Sequence, residues 1–99
     1  MFARMLRIQT HLDRIDVAAK LFAENVIPMI KDTKGYIGAT FLADQTTGNC
    51  VMITMWETEE DLVETEHSRL FQEQLVKFMN FFITPPIREV FEVLYKEPV

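Results

Sequence analysis

Apolar and polar residues run along this chain in six stretches of period two or of three- to four-residue steps, and each stretch marks an element. Residues 3–11 alternate: Leu6, Ile8 and Thr10 share one side, and Arg7, Gln9 and His11 share the other. Period two predicts a strand with a drier and a wetter face. Ile15, Ala18, Phe22, Val26 and Met29 then recur at three- and four-residue steps, the stripe of an amphipathic helix with Asp13 as its cap. Pro28 falls inside that stripe and predicts a kink or an early stop, because it lacks an amide donor and crowds the preceding turn. Lys31, Lys34 and Gly35 close the segment.

Alternation returns at 36–44, with Ile37, Ala39, Phe41 and Ala43 opposed to Tyr36, Gly38, Thr40 and Leu42. A Gly48-containing turn leads into a third strand over 50–57, which ends at Trp56. Thr58-Glu59-Glu60-Asp61 reads as a capping box opening a second helix. Its stripe runs through Leu62, Val63, Leu70, Phe71, Leu75, Phe78, Met79 and Phe82, and is interrupted between Thr65 and Arg69. Pro85-Pro86 ends it, and 87–96 are predicted as a fourth strand. The order is β-α-β-β-α-β, an α+β, ferredoxin-like chain: a four-stranded antiparallel sheet with two helices on one face. The predicted organisation is one domain over 1–99.

Composition sharpens the assembly. Of 99 residues, 48% are apolar, including eight Phe and six Met. A domain this small buries only about 60–65% of the surface of its unfolded chain. Large side chains also fall on both faces of the strands, such as Phe41 with Leu42 and Phe91 with Leu94. A sheet apolar on both faces needs cover on both. The expectation is a homodimer joined through the helix-free faces.

Charge and cysteine usage exclude some partners. The net charge of −5 and the lack of a basic run argue against nucleic acid. No apolar run approaches a membrane span, and the charged start does not read as a signal peptide. The single cysteine, Cys50, has no internal disulfide partner, which points to a reducing, cytoplasmic setting. Three glycines and two widely spaced histidines provide no phosphate cradle and no metal-ligand spacing, so neither a metal nor a cofactor is expected.

Candidate chemistry is sparse. His67 sits where the helix 2 stripe breaks and titrates near neutrality, so it is either a general base or an exposed residue among acids. Trp56 either stacks a flat ligand or plugs a strand end. Arg7 and Gln9 share a strand face and either orient a carbonyl or hydroxyl or form a wet edge. Tyr36 either donates to a phenolate-like oxygen or packs.

Lys34-Gly35-Tyr36-Ile37-Gly38, then Met55-Trp56-Glu57-Thr58-Glu59-Glu60-Asp61-Leu62, then Phe71 further on carry a resemblance. With the order of elements, they resemble the antibiotic-biosynthesis-monooxygenase-like family of dimeric α/β barrels. The resemblance implies a cofactor-independent monooxygenase for a small aromatic or quinol-type molecule, held in a cavity between sheet and helices. His67 would be the base, Arg7 and Gln9 the donors and Trp56 the wall, with Tyr36 as a further contact. The alternative is a non-enzymatic ligand-binding or structural homodimer. Many members carry histidines nine and fourteen residues after the tryptophan, where this chain has Thr65 and Leu70. The strand 1 Asn and helix 2 Trp of haem-degrading relatives are missing, and their His position reads Leu75, so the resemblance implies no haem degradation.

Overall fold

The computed structural model describes residues 1–97. Four strands, β1 (Phe2–Gln9), β2 (Tyr36–Ala43), β3 (Asn49–Trp56) and β4 (Ile87–Glu92), form one antiparallel sheet in the order β2-β3-β1-β4. Helices lie between β1 and β2 and between β3 and β4, which gives the ferredoxin-like α+β arrangement. The core is a sandwich of sheet and helices. Ile8, Cys50, Met52 and Trp56 from the strands meet Ile15, Ala18, Phe22, Val26 and Ile30 from the first helical run and Leu62, Phe71 and Phe78 from the second. Among the described residues, no helix is long and apolar enough to cross a membrane.

The first helical run starts with a 3-10 turn at Leu12–Arg14, in which the Arg14 amide donates to the His11 carbonyl at 2.9 Å. Asp13 lies within that turn and caps nothing, contrary to the sequence expectation. The run continues as α1 (Ile15–Leu21), a π turn (Phe22–Val26) and α2 (Ile27–Ile30). Pro28 does not stop it. The Ile27 amide reaches back five residues to the Phe22 carbonyl, and this widened turn takes up the bonding register that the proline would otherwise break.

Gly35, at φ +83°, turns the chain into β2. A Cβ there would come within 2.2 Å of the Asp61 carboxylate, so both the turn and the packing require glycine. The register then slips between Tyr36 and Gly38. This bulge at Ile37 corrects the simple alternation: Tyr36 joins Ala39 and Phe41 on the helix-covered side, instead of Gly38, Thr40 and Leu42.

The second helical run is two helices where the sequence predicts one, and they part at the interruption of the stripe. Thr58 caps α3 (Glu59–Glu66) as expected, accepting from the Asp61 amide at 3.1 Å. The helix stops at His67, and Ser68 caps a new helix, α4 (Arg69–Met79). The Gln72 side-chain amide donates to the Glu66 carbonyl at 3.1 Å and satisfies one orphaned acceptor at the break. The break resets the helical phase. Phe71, Leu75 and Phe78 point inward, while Leu70 and Met79 are exposed.

β4 also ends earlier than expected, at Glu92. Its pairing with β1 closes at the bond from the Val93 amide to the Met1 carbonyl, 2.9 Å. Leu94 and Tyr95, beyond that point, stand exposed and pack on neither face.

Candidate functional site

A strand residue that faces helices is normally apolar, and β1 breaks that rule once. Arg4 has the same parity as Leu6, Ile8 and Thr10, so the pleat turns it under the helices, where it is 2% exposed. A buried guanidinium needs both counter-charge and donors satisfied. Arg4 finds these only in part. Its Nη1 lies 3.5 Å from Glu66 Oε2, close enough for charge attraction but without a hydrogen-bond partner. Its planar head lies over the Phe71 ring at 4.5 Å and near the Trp56 ring at 5.9 Å. Burial holds the Arg4 pKa below its usual value, and Glu66 opposes that shift.

Glu66, at the end of α3, is held from its other side by Arg88 of β4. The Arg88 Nη2 donates to Glu66 Oε1 at 2.6 Å, and its Nε donates to Oε2. This fork raises the Arg88 pKa. The arrangement depends on register and on the helix break. Arg88 pairs with Leu6 across the β1–β4 ladder, and α3 stops in time to leave Glu66 over the sheet.

Arg4 borders a cavity of about 20 Å³, room for about one water molecule. The rest of its wall is Leu6, Phe22, Val26, Met52, Thr54, Phe71, Leu75 and Phe78. It is an apolar chamber with one cation and one hydroxyl. Thr54 faces Arg4 across the β1–β3 ladder and accepts from the Trp56 indole Nε1 at 3.2 Å. The Thr54 hydroxyl proton can still serve a second partner.

The residues singled out in the sequence are spread over several places. Trp56 is fully buried beside Thr54 on the same face of β3, edge-on to Tyr36 at 5.5 Å between ring centroids. Tyr36 is half-buried against it, and desolvation raises its pKa. Both back the chamber without lining it. Arg7 and Gln9 lie on the opposite face of the sheet, which corrects their placement in a cavity between sheet and helices. Arg7 Nε pairs with Glu89 Oε1 at 2.5 Å, and Gln9 Nε2 donates to the Thr47 carbonyl at 2.7 Å. His67 is exposed at the end of α3, in an open groove with Thr33, Lys34, Asp61 and Ser68. Neither Trp56 nor any strand 1 residue borders that groove. The interruption of the stripe is thus a helix break and not the mouth of the chamber.

Sequence reasoning missed Arg4, although a signal was present. It is a cation in phase with the apolar positions of a strand that two helices were expected to cover. The alternation of Leu6, Ile8 and Thr10, extended one step toward the N-terminus, includes it.

The chain matches the model of the antibiotic biosynthesis monooxygenase family over residues 1–74 and belongs to that family. Two uncharacterised Mycobacterium tuberculosis proteins, from two strains, are each 32% identical over 59 residues. The match covers 60% of this chain, which spans about a quarter (26%) of those relatives' length. Among solved structures, a Streptomyces coelicolor monooxygenase, ActVA-Orf6, in complex with nanaomycin D superposes with TM-score 0.83 at 15% identity, covering 99% of this chain and 91% of that one. A Nitrosomonas europaea protein of unknown function superposes with TM-score 0.78 at 13% identity, covering 99% and 93%. At these identities the structural likeness establishes the fold.

Proposed function

We propose that this chain is a monooxygenase without metal or flavin, acting on a small aromatic or quinol-type molecule in the chamber between sheet and helices. The observation that carries the reading is Arg4, a buried guanidinium in the wall of an otherwise apolar chamber. An aromatic ring suits Phe22, Phe71 and Phe78, and a phenolate oxygen suits the Arg4 guanidinium.

The chemistry balances with oxygen alone. A hydroxyarene with a free carbon para to its hydroxyl gives its phenolic proton to solvent before it enters, the electron-rich carbon of the phenolate bonds to O2, and the peroxide takes a proton back from water. The resulting hydroperoxide loses its C–H proton as its O–O bond breaks. The products are a quinone and water, each with one atom of the O2. Arg4 stabilises the phenolate, the state in which charge is delivered to oxygen. Trp56 holds the Thr54 hydroxyl in place through its indole N–H, with Tyr36 packed on its ring. His67, Arg7 and Gln9 have no contact with this path. The chamber must widen to admit such a molecule, and α4, which supplies Phe71, Leu75 and Phe78, is separated from α3 by the break at His67–Ser68.

A panel of hydroxynaphthalenes and hydroxyanthracenes under isotopically labelled oxygen tests the reading. One label in the quinone and one in water, at a rate that Arg4→Met lowers about 10²–10³-fold, supports it. Oxygen uptake no faster than without protein sinks it.

The small chamber favours a second reading, a structural or ligand-binding homodimer of the same fold. Both readings share the pair. The open face of the sheet carries exposed Leu42, Ile87 and Phe91 around the Arg7–Glu89 ion pair. Sedimentation at micromolar concentration should show one species of twice the chain mass, and a stable monomer would exclude the dimer.

A further inference from the structure

We infer that the groove beside the break between α3 and α4 binds an aliphatic diamine or longer polyamine, with one primary ammonium on Asp61. The groove, about 560 Å³, runs between the loop before β2, at Thr33 and Lys34, and α3 with the turn that follows it. It shares no lining residue with the chamber, so this site is independent of the reading above. Two observations carry it. The first is the state of Asp61. In a full capping box its carboxylate would return to the Thr58 amide. Only half of the box forms: the Asp61 amide donates to Thr58 Oγ1 at 3.1 Å, and the carboxylate turns to the opposite wall, against Gly35 beside Lys34. Asp61 is 8% exposed, yet among the described residues no donor or cation pairs with its carboxylate. A carboxylate this far from water calls for donors from a partner.

The second observation is the hydrogen-bonding sense of the hydroxyls in the same groove. Thr65 donates its proton to the Asp61 carbonyl at 3.1 Å, and Thr33 donates its own to the Ile30 carbonyl at 2.6 Å. Both are left with lone pairs alone. Asp61, Thr65 and Thr33 therefore present acceptors only, the complement of an ammonium, which has three donors and no acceptor. An anion would meet two carboxylates, Asp61 and Glu64, against one lysine, Lys34. The second charge follows from the neighbouring surface. A shallower groove shares Glu64 and adds Glu60 and half-buried Val63. Glu60 and Glu64 are one helical turn apart, a spacing that four methylenes between two nitrogens also span, and Val63 offers those methylenes an apolar contact. Glu59 is left out because it acts on Arg88. The net charge of −5 draws polycations toward the chain.

Calorimetry at neutral pH and fixed salt tests the site with two dications of one chain length. The first is 1,4-diaminobutane. The second is its fully N-methylated, bis-quaternary analogue, which keeps both charges but has no N–H donor. The diamine is expected to bind about tenfold or more tightly than the analogue, the factor for losing hydrogen bonds to a charged group. Asp61→Asn should remove that advantage. Asp13→Asn, the same change of charge on an exposed residue outside both grooves, should leave it. Glu64→Gln should bring the diamine down to the affinity of n-butylamine, which carries a single ammonium.

The wild-type comparison decides the matter even if a variant fails to fold. Equal binding of the two dications would mark a loose counterion attraction and overturn the inference. So would no binding of the diamine, an advantage that survives Asp61→Asn, or a diamine affinity that Glu64→Gln leaves unchanged.

Discussion

Arg4 and Arg7 stand three residues apart on one strand, and each pairs with a glutamate, yet they occupy different worlds. Arg4 lies under the helices, its side chain 2% exposed, with Glu66 at 3.5 Å and aromatic rings on its faces. Arg7 lies on the open face, with its side chain 52% exposed and Glu89 at 2.5 Å. The shorter contact belongs to the less consequential pair. Water screens Arg7 whether or not Glu89 is present. Arg4 has little water, so its single weak contact is most of what balances its charge. Depth, more than distance, sets what an ion pair does in this molecule.

The largest effect expected on the covered face comes from its aromatic wall. Phe71→Ala removes a buried ring that packs against the Arg4 head, and should lower stability by about 3–5 kcal/mol in denaturant unfolding. A loss under about 1 kcal/mol would mean that α4 does not close this face. Next comes Glu66→Gln, which strands the buried cation and should cost about 3 kcal/mol. Arg4→Met is its counterpart. It removes the charge but keeps an apolar stem, so it should be near neutral or stabilising. If the two substitutions cost the same, Arg4 is hydrated and the contrast with Arg7 fails.

On the open face, Arg7→Ala should change stability by less than about 1 kcal/mol, and the change should shrink further in high salt. A larger, salt-insensitive loss would mean that the pair is covered by a partner subunit.

The smallest effect lies off both faces, in the β2–β3 turn. Asp44 Oδ1 accepts from the amides of Thr46 and Thr47 at 2.9 and 3.2 Å, which lowers its pKa. A carboxylate depressed in the folded state adds stability above its unfolded value, about 3.9, and loses it as pH falls through the folded value. Asp44→Asn should therefore lower stability slightly at neutral pH, flatten the acid limb, and converge with the unsubstituted protein below the folded pKa. An unchanged acid limb would show that the turn opens before Asp44 is protonated.

His67→Ala belongs beside Arg7→Ala as a control. Neither residue borders the chamber, so binding of a chamber ligand should survive both.

Much of this could be read along the chain, because strand and helix periods are local. Side chains that alternate every second residue, or recur every three to four, declare their element and its buried side without reference to any partner. The order of elements along the chain, the Thr58 cap, the Gly48 hairpin and the presence of two apolar sheet faces all follow from such short-range rules. What tertiary structure decided depends on residues far apart in sequence. The bulge that turned Tyr36 inward comes from pairing with β3. The stop at Glu66 is accompanied by Ser68 capping, Gln72 backing and the pull of Arg88 from another strand. β4 ends at Glu92, and its pairing with β1 closes at the bond from the Val93 amide to the Met1 carbonyl. Arg4 gains its meaning the same way: its parity was written in the sequence, but the depth that makes one unpaired donor significant exists only once both helices close over the sheet and exclude water.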